Sequence, residues 1–362
     1  MMARDKRPIG SKPGMSRRQV VAAGVGGLAA PFLMMRSARA AKQVICRNPG
    51  GDYGDAAQKL IYDPFTKATG IEVVTVTSNQ AQLLAMIEAK RVEIDWMEVS
   101  ESTVFPLDER GALAPIDYKG WKRTDPASIE PRLVKERWVG YNITGTAITY
   151  STRAFGSTPA PRDWAEFFDI GKFPQPRMMA AMEALGVPEL EFALVADGVA
   201  MDKLYPLDVP RALRVFDQVK PKLRKLYKSG AESVQVMSSG EAQLASMWNG
   251  RAQAAIDQGV PLAINWNQGL KSVQMAAILK DGPNPENAQL FMDFALQPAI
   301  QAEFTKVIPY SSANRDVLRL LSPELIAKLP TNPANATFFR DSAWWYANRA
   351  PIADAWQKWV LR

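Results

Sequence analysis

The chain contains no histidine, and only one cysteine, Cys46. Without an imidazole, Ser-His-Asp triads, histidine proton transfer and the common zinc sites are excluded. One thiol cannot close an internal disulfide. Cys46 lies in the apolar run Val44-Ile45-Cys46, where it is expected as a small buried hydrophobe. Beyond the first forty residues no apolar run approaches the ~20 residues that span a bilayer. Net charge is also missing from most of the chain. The overall +7 arises at the N-terminus, where the first forty residues hold eight Lys or Arg and one acid, leaving 36 basic and 36 acidic residues for the rest. A neutral body gives no basic footprint for nucleic acid, so no nucleic-acid partner is expected.

The leader has three parts: a basic stretch to Arg18, a weakly apolar Gly/Ala-rich run from Val20 to Leu33, and the small-x-small site Ala38-Arg39-Ala40. It reads as a cleaved export signal over residues 1–40. Ser16-Arg17-Arg18 is similar to a twin-arginine motif, although Val20, Val21 and Ala22 differ from the usual pattern; an ordinary secretory flank is the alternative. Either route places the mature protein outside the cytoplasm, in the periplasm.

At 362 residues, 47% hydrophobic and 22% charged, the chain has room for about two domains. From Lys42 to Gly111, β-branched runs alternate with amphipathic segments, and Asp63-Pro64 and Gly70 punctuate one helix. This β-α-β-α-β rhythm predicts a parallel sheet. Trp138 to Tyr150 reads as strand without a helix, the point where the chain passes into a second lobe. Pro210 to Tyr227 is expected as one helix, with Leu213, Phe216, Leu223 and Leu226 on its apolar side. Val234 to Met237 is expected as a strand. Ser238 and Glu241 then form a capping box for a helix that carries Trp248-Asn249-Gly250 and ends at Gly250. Two apolar runs flank a turn at Asn267–Leu270, and Asn284-Pro285 opens another helix. Trp345, Ile352, Trp356 and Trp359 share one face of a C-terminal helix kinked at Pro351, for core packing in preference to ligand contact. Glu189 and Glu191 are expected on a solvated face, and Trp266 at a hinge or turn.

Five stretches taken together carry a family likeness: Asp63-Pro64-Phe65 with Gly70-Ile71-x-Val73, Gly111-x-Leu113-x-Pro115-Ile116-Asp117, Leu204-Tyr205-Pro206-Leu207-Asp208, Trp248-Asn249-Gly250-Arg251-Ala252 and Gly282-Pro283-Asn284-Pro285-Glu286-Asn287-Ala288. In their order and spacing the mature chain resembles the solute-binding proteins of bacterial ABC importers, within them the spermidine/putrescine-type branch. The resemblance implies a two-lobe α/β fold of the type II periplasmic-binding class, with crossing hinge strands and a ligand cleft between lobes. Residues 41–146 with 272–308 would form lobe 1, and 147–271 with 309–362 lobe 2. It further implies a monomeric receptor that is not an enzyme, uses no cofactor or metal, and delivers a small-molecule solute to an inner-membrane ABC permease. An iron-binding relative is the less favoured alternative, since the chain has neither a Tyr-Tyr pair nor histidine. So is a periplasmic enzyme, for which no nucleophile motif is present.

Carried over residue by residue, Tyr53, Ser100, Trp248 and Tyr310 match polyamine-site positions. Pro49 and Ser272 replace tryptophans, Ser102 a tyrosine, and Gln274 an ammonium-binding aspartate. Removing a charged partner from a buried cation costs on the order of 3–5 kcal/mol. Spermidine or putrescine follows the family resemblance, while the departures favour something smaller or less cationic, such as a carboxylate or an ω-amino acid. Ser78, Asn79 and Ser100 stand at helix N-termini, where a carboxylate would be favoured. Each candidate has a structural alternative: loop packing for Tyr53 and Tyr310, core for Trp248, capping for Ser78, Asn79 and Ser100.

Overall fold

The computed structural model describes residues 42–186 and 188–362. The expected export leader, with Ser16-Arg17-Arg18 and Ala38-Arg39-Ala40, lies outside the described residues. Among the described residues no helix is long and apolar enough to cross a membrane.

The first half follows the alternating rhythm of its sequence. Strand β1 (Gln43–Arg47) leads into helix α1 (Gly51–Ala57) and, through a π-turn, α2 (Asp63–Thr69). Gly70 ends α2 with φ 72°, a left-handed cap that suits glycine. Strand β2 (Glu72–Val76), α3 (Gln80–Glu88), β3 (Trp96–Ser100) and α4 (Glu101–Glu109) follow. β1 pairs in parallel with both β2 and β3.

Two long strands then join the halves of the molecule. They are β4 (Trp138–Ser151) and, much later, β8 (Leu262–Ile278), which run antiparallel side by side. Between them lie β5 (Arg177–Ala180), α5 (Leu190–Ala196), α6 (Val209–Val219), β6 (Leu223–Tyr227), α7 (Gly230–Ser239), β7 (Leu244–Trp248) and α8 (Asn249–Asp257). After β8 come α9 (Pro285–Ala295), α10 (Pro298–Val307), the short β9 (Ser311–Ser312) and β10 (Thr337–Phe339), and α11 (Ser342–Val360). The main sheet order is β2-β1-β3-β8-β4-β7-β5-β6. This is the mixed α/β architecture expected from the sequence.

One core gathers buried side chains from Val44 to Ile143 and from Val273 to Ala313. A second gathers Ile148 to Leu270 with Phe338 to Trp359. Both are threaded by β4 and β8, so the crossing must fit closely. Its register shifts between Thr146 and Ile148. Next to this irregularity, a Cβ on Gly145 would lie 2.5 Å from the Trp266 ring and 2.8 Å from Pro330 Cβ. Gly145→Ala is expected to lower stability by about 1–3 kcal/mol through overpacking, checked by urea unfolding. A change below about 0.5 kcal/mol would show that the crossing is not tightly fitted.

The second half departs from the sequence reading in four places, one being the expected turn at Asn267–Leu270, which with the buried Trp266 lies inside the single strand β8. Leu223–Tyr227 is a strand, because α6 ends at Val219 and Pro221 sits in the single 3-10 turn that follows. Proline cannot donate the bond a continuing helix would need. Val234–Met237 lies inside α7, which is capped by Ser229 accepting from Glu232 N–H at 3.2 Å and closed by Gly240 at φ 79°. The Ser238/Glu241 pair therefore stands at a helix end. Trp248 ends a buried strand and Asn249-Gly250 opens α8, the reverse of the expected polarity. Gly250 is small for another reason: a Cβ there would come within 2.7 Å of the Tyr310 ring. At the C-terminus, Trp345, Ile352, Trp356 and Trp359 are all buried, and α11 runs through Pro351 as one element.

Candidate functional site

Where β3 gives way to α4, Ser100 pairs in register with Gln274 of β8, and Thr144 of β4 lies opposite Ser272. These side chains floor a cleft of about 550 Å³, whose wall includes Glu101, Ser102, Trp248, Arg340, Trp345 and Tyr346. A second compartment of about 370 Å³ adjoins it and takes in Tyr53 and Tyr310. Gln80, Ser100, Thr144 and Gln274 line both. Of the residues expected from sequence, Ser100, Ser102, Trp248, Ser272 and Gln274 meet in the larger space, and Tyr53 and Tyr310 in the smaller. Ser78 and Asn79 line neither. The exposed Asn79 is engaged in a capping box, its Oδ1 accepting from Gln82 N–H at 2.9 Å while Gln82 Oε1 accepts from Asn79 N–H at 2.8 Å. The Ser78 carbonyl accepts from Arg47 Nε at 2.8 Å.

The WNG turn supports the cleft as well as lining it. Asn249 Oδ1 accepts from Gly145 N–H at 3.0 Å, and its Nδ2 donates to the Pro309 carbonyl at 2.8 Å. One amide thus fastens the crossing strand to the loop that carries Tyr310.

The strongest electrostatic feature was not anticipated from the sequence. Glu191 is fully buried rather than solvated. Its Oε1 accepts from Trp345 Nε1 at 2.7 Å and Tyr205 hydroxyl at 2.7 Å, and lies 3.3 Å from Arg340 Nε. Glu189, also buried, accepts from Ala180 N–H at 3.0 Å and Ser246 Oγ at 2.5 Å. Helix α5 turns this acidic end toward the core because Leu190, Phe192, Ala193 and Leu194 are buried around it. The Arg340 side chain is only 8% exposed, and its Nη2 is buried with no hydrogen-bond partner. Burial works against the charged guanidinium, but Glu191, Tyr205, Glu101 and Glu189 outweigh it and raise its pKa.

Glu101, the first residue of α4, stands in the cleft wall beside this cation. Burial pushes its carboxyl up to about 7, opposed first by hydrogen bonding from Ser342 and then by the Arg340 charge. Burial likewise pushes the Glu189 carboxyl up to about 7, against the bonds from Ser246 and Ala180. The cleft wall therefore includes an arginine whose buried Nη2 has no protein partner and, next to it, a carboxyl poised near neutrality. Such an arrangement can receive a carboxylate and an ammonium together. Among the described residues no group of three or more Asp, Glu or Cys is placed to hold a metal.

Arg340 was legible in principle. It follows Thr337-Phe338-Phe339 and precedes the Asp341 cap, a strand-to-helix joint like those at Ser78 and Ser100. Glu101 is adjacent to Ser100 and is the acidic residue in the first turn of α4.

Comparison with known proteins gives the family. The profile of the bacterial extracellular solute-binding proteins matches residues 61–336. A gamma-aminobutyric acid-binding protein of Pseudomonas aeruginosa is 30% identical over 86% of this chain and 89% of its own length. A spermidine/putrescine-binding periplasmic protein of Salmonella typhimurium is 23% identical over 73% and 77%. The solved Atu4243 GABA receptor is 29% identical and superposes with a TM-score of 0.77, covering 88% of this chain and 97% of the receptor. By the extent of these matches the chain belongs to the bacterial extracellular solute-binding proteins, the receptor components of ABC importers.

Proposed function

We propose that the protein captures a small ω-amino acid of the 4-aminobutyrate class and delivers it to an inner-membrane permease. The buried Arg340, with an N–H left over in the cleft wall, carries this reading: it suits a carboxylate, which a polyamine does not have. Glu101 is the acceptor for the ligand ammonium, with Ser100, Ser102 and Gln274 as neutral hydrogen-bonding partners and Trp248 as a ring face. The similarity to two GABA-binding proteins supports the ω-amino acid over the polyamine that the sequence motifs first brought forward. The lobes are proposed as 41–146 with 272–308 and 147–271 with 309–362, and the ligand as the bridge between them. Export by the leader to the periplasm, as a monomer and by the twin-arginine route, completes the proposal.

Isothermal titration of the purified mature chain with 4-aminobutyrate and with putrescine tests it. Binding of 4-aminobutyrate in the micromolar range or tighter, at least about tenfold stronger than putrescine, is expected. Tighter binding of putrescine would remove Arg340 from the role assigned to it, and turnover of either compound would replace the receptor by an enzyme.

A further inference from the structure

The cleft continues past Ser100 into the second compartment, whose wall holds one cation, Arg47, and one acid, Glu98. Arg47 donates from Nε to the Ser78 carbonyl at 2.8 Å and from Nη1 to the Glu98 carbonyl at 2.7 Å. The Glu98 carboxylate accepts from Asn142 Nδ2 at 2.9 Å and from the Tyr53 hydroxyl. Asn142 Nδ2 also lies 2.6 Å from the Tyr53 oxygen, which closes a three-residue network. One cation and one anion thus balance within the wall, and each is fixed by internal hydrogen bonds. What remains to face a ligand is apolar or neutral: Pro49, Leu83, Val99, and the rings of Tyr53 and Tyr310, 6.1 Å apart.

A free ion entering this space would lose water and meet a wall in which one cation and one acid offset each other. A neutral group with hydroxyls or an amide would meet ring faces and the side chains of Ser100, Thr144 and Gln274. Space points the same way. Pockets of about 300–1,000 Å³ enclose drug-sized molecules, so the 550 Å³ compartment alone is roomy for a four-carbon amino acid and the further 370 Å³ is surplus to it. Position points to the end of the ligand that is extended. Glu101 and Arg340 both line only the first compartment, but Ser100, the chain neighbour of Glu101, lines both.

We propose that the second compartment is a subsite for a neutral, hydroxyl- or amide-bearing substituent on the amino end of the ligand. The preferred solute is then an N-substituted ω-amino acid, with the bare amino acid as a truncated form of it. This rests on the head-group reading above, with the carboxylate at Arg340 and the nitrogen at Glu101.

The test compares two ligands by isothermal titration on the mature chain. One is 4-aminobutyrate; the other is the secondary amine made by reductive amination of glucose with 4-aminobutyrate, which keeps the carboxylate and a protonatable nitrogen. The extended compound is expected to bind at least about tenfold tighter. Pro49→Trp, at an exposed position on the compartment wall, would place an indole in the second space. It is expected to abolish that gain while leaving 4-aminobutyrate within about twofold of its wild-type affinity, which also shows that the variant is folded. If the extended compound binds no tighter, or if the tryptophan weakens both ligands alike, the subsite is overturned and the head-group reading stands. If neither compound binds the wild type, both fall.

Discussion

Replacing Arg340 by methionine is expected to weaken 4-aminobutyrate binding by at least about thirtyfold, the lower edge of the 2–5 kcal/mol lost when one partner of a buried charge pair is truncated. The same change leaves Glu191 buried without its cation, and an uncompensated buried charge costs on the order of 3–5 kcal/mol of stability. Weak binding could then reflect a damaged fold. The double variant Arg340→Met with Glu191→Gln separates the two effects. Glutamine keeps an oxygen to accept from Trp345 Nε1 and the Tyr205 hydroxyl, the bonds that Glu191 receives at 2.7 Å each. It carries no charge to strand. The double variant should regain most of the unfolding free energy in urea, yet still fail to bind. Recovery of affinity along with stability would mean that Arg340 only braces the cleft and does not hold the carboxylate.

Glu101→Gln is expected to move binding and stability in opposite directions. The folded protein holds the Glu101 proton more tightly than the unfolded chain, since burial lifts the carboxyl from 4.5 to about 7. The stability it contributes is fully present below the unfolded value and is lost as pH rises through about 7. At pH 8 the ionised carboxylate is a burden in the empty protein, so glutamine should raise the melting temperature there and change little at pH 4. Ligand binding reverses the preference, because an ammonium favours the ionised form. Wild-type affinity should therefore fall as pH drops below about 7, by up to tenfold per unit, and binding at pH 7 should release part of a proton. Glutamine should bind more weakly and without that release. Titration in buffers of different ionisation enthalpy counts the proton. Glu189 titrates in the same window, so the variant, and not the pH curve alone, assigns the group. Equal proton release from the wild type and the glutamine variant would clear Glu101 of the role.

The sequence was most informative where local chemistry decides structure. The Gly70 cap, the Pro285 start of α9 and the aromatic face of α11 need only neighbours along the chain, and each lies where the pattern put it. The expected cleft residues from Ser100 to Tyr310 also meet, since strand ends in an α/β sheet converge. The failures came where periodicity was ambiguous or distance in sequence was large. Leu223 and Leu226 fit a helical spacing, and only Pro221 argued against it. Ser78 and Asn79 have the residue types of a binding joint, yet Asn79 is occupied by its own helix. Glu191 and Arg340 are 149 residues apart; nothing local in either announces that each exists to satisfy the other.

Two side chains that line the larger cleft, Phe105 of α4 and Tyr346 of α11, also touch each other, their ring centroids 5.6 Å apart. The Tyr346 hydroxyl reaches on to Glu109 Oε2 at 2.6 Å. These helices come from opposite cores of the molecule, so this contact resists their parting but takes no part in recognising charge. On the proposed reading, affinity and residence time would fall to different residues: Arg340 and Glu101 would choose the solute, while the contact among Phe105, Glu109 and Tyr346 would bear on how long it is kept.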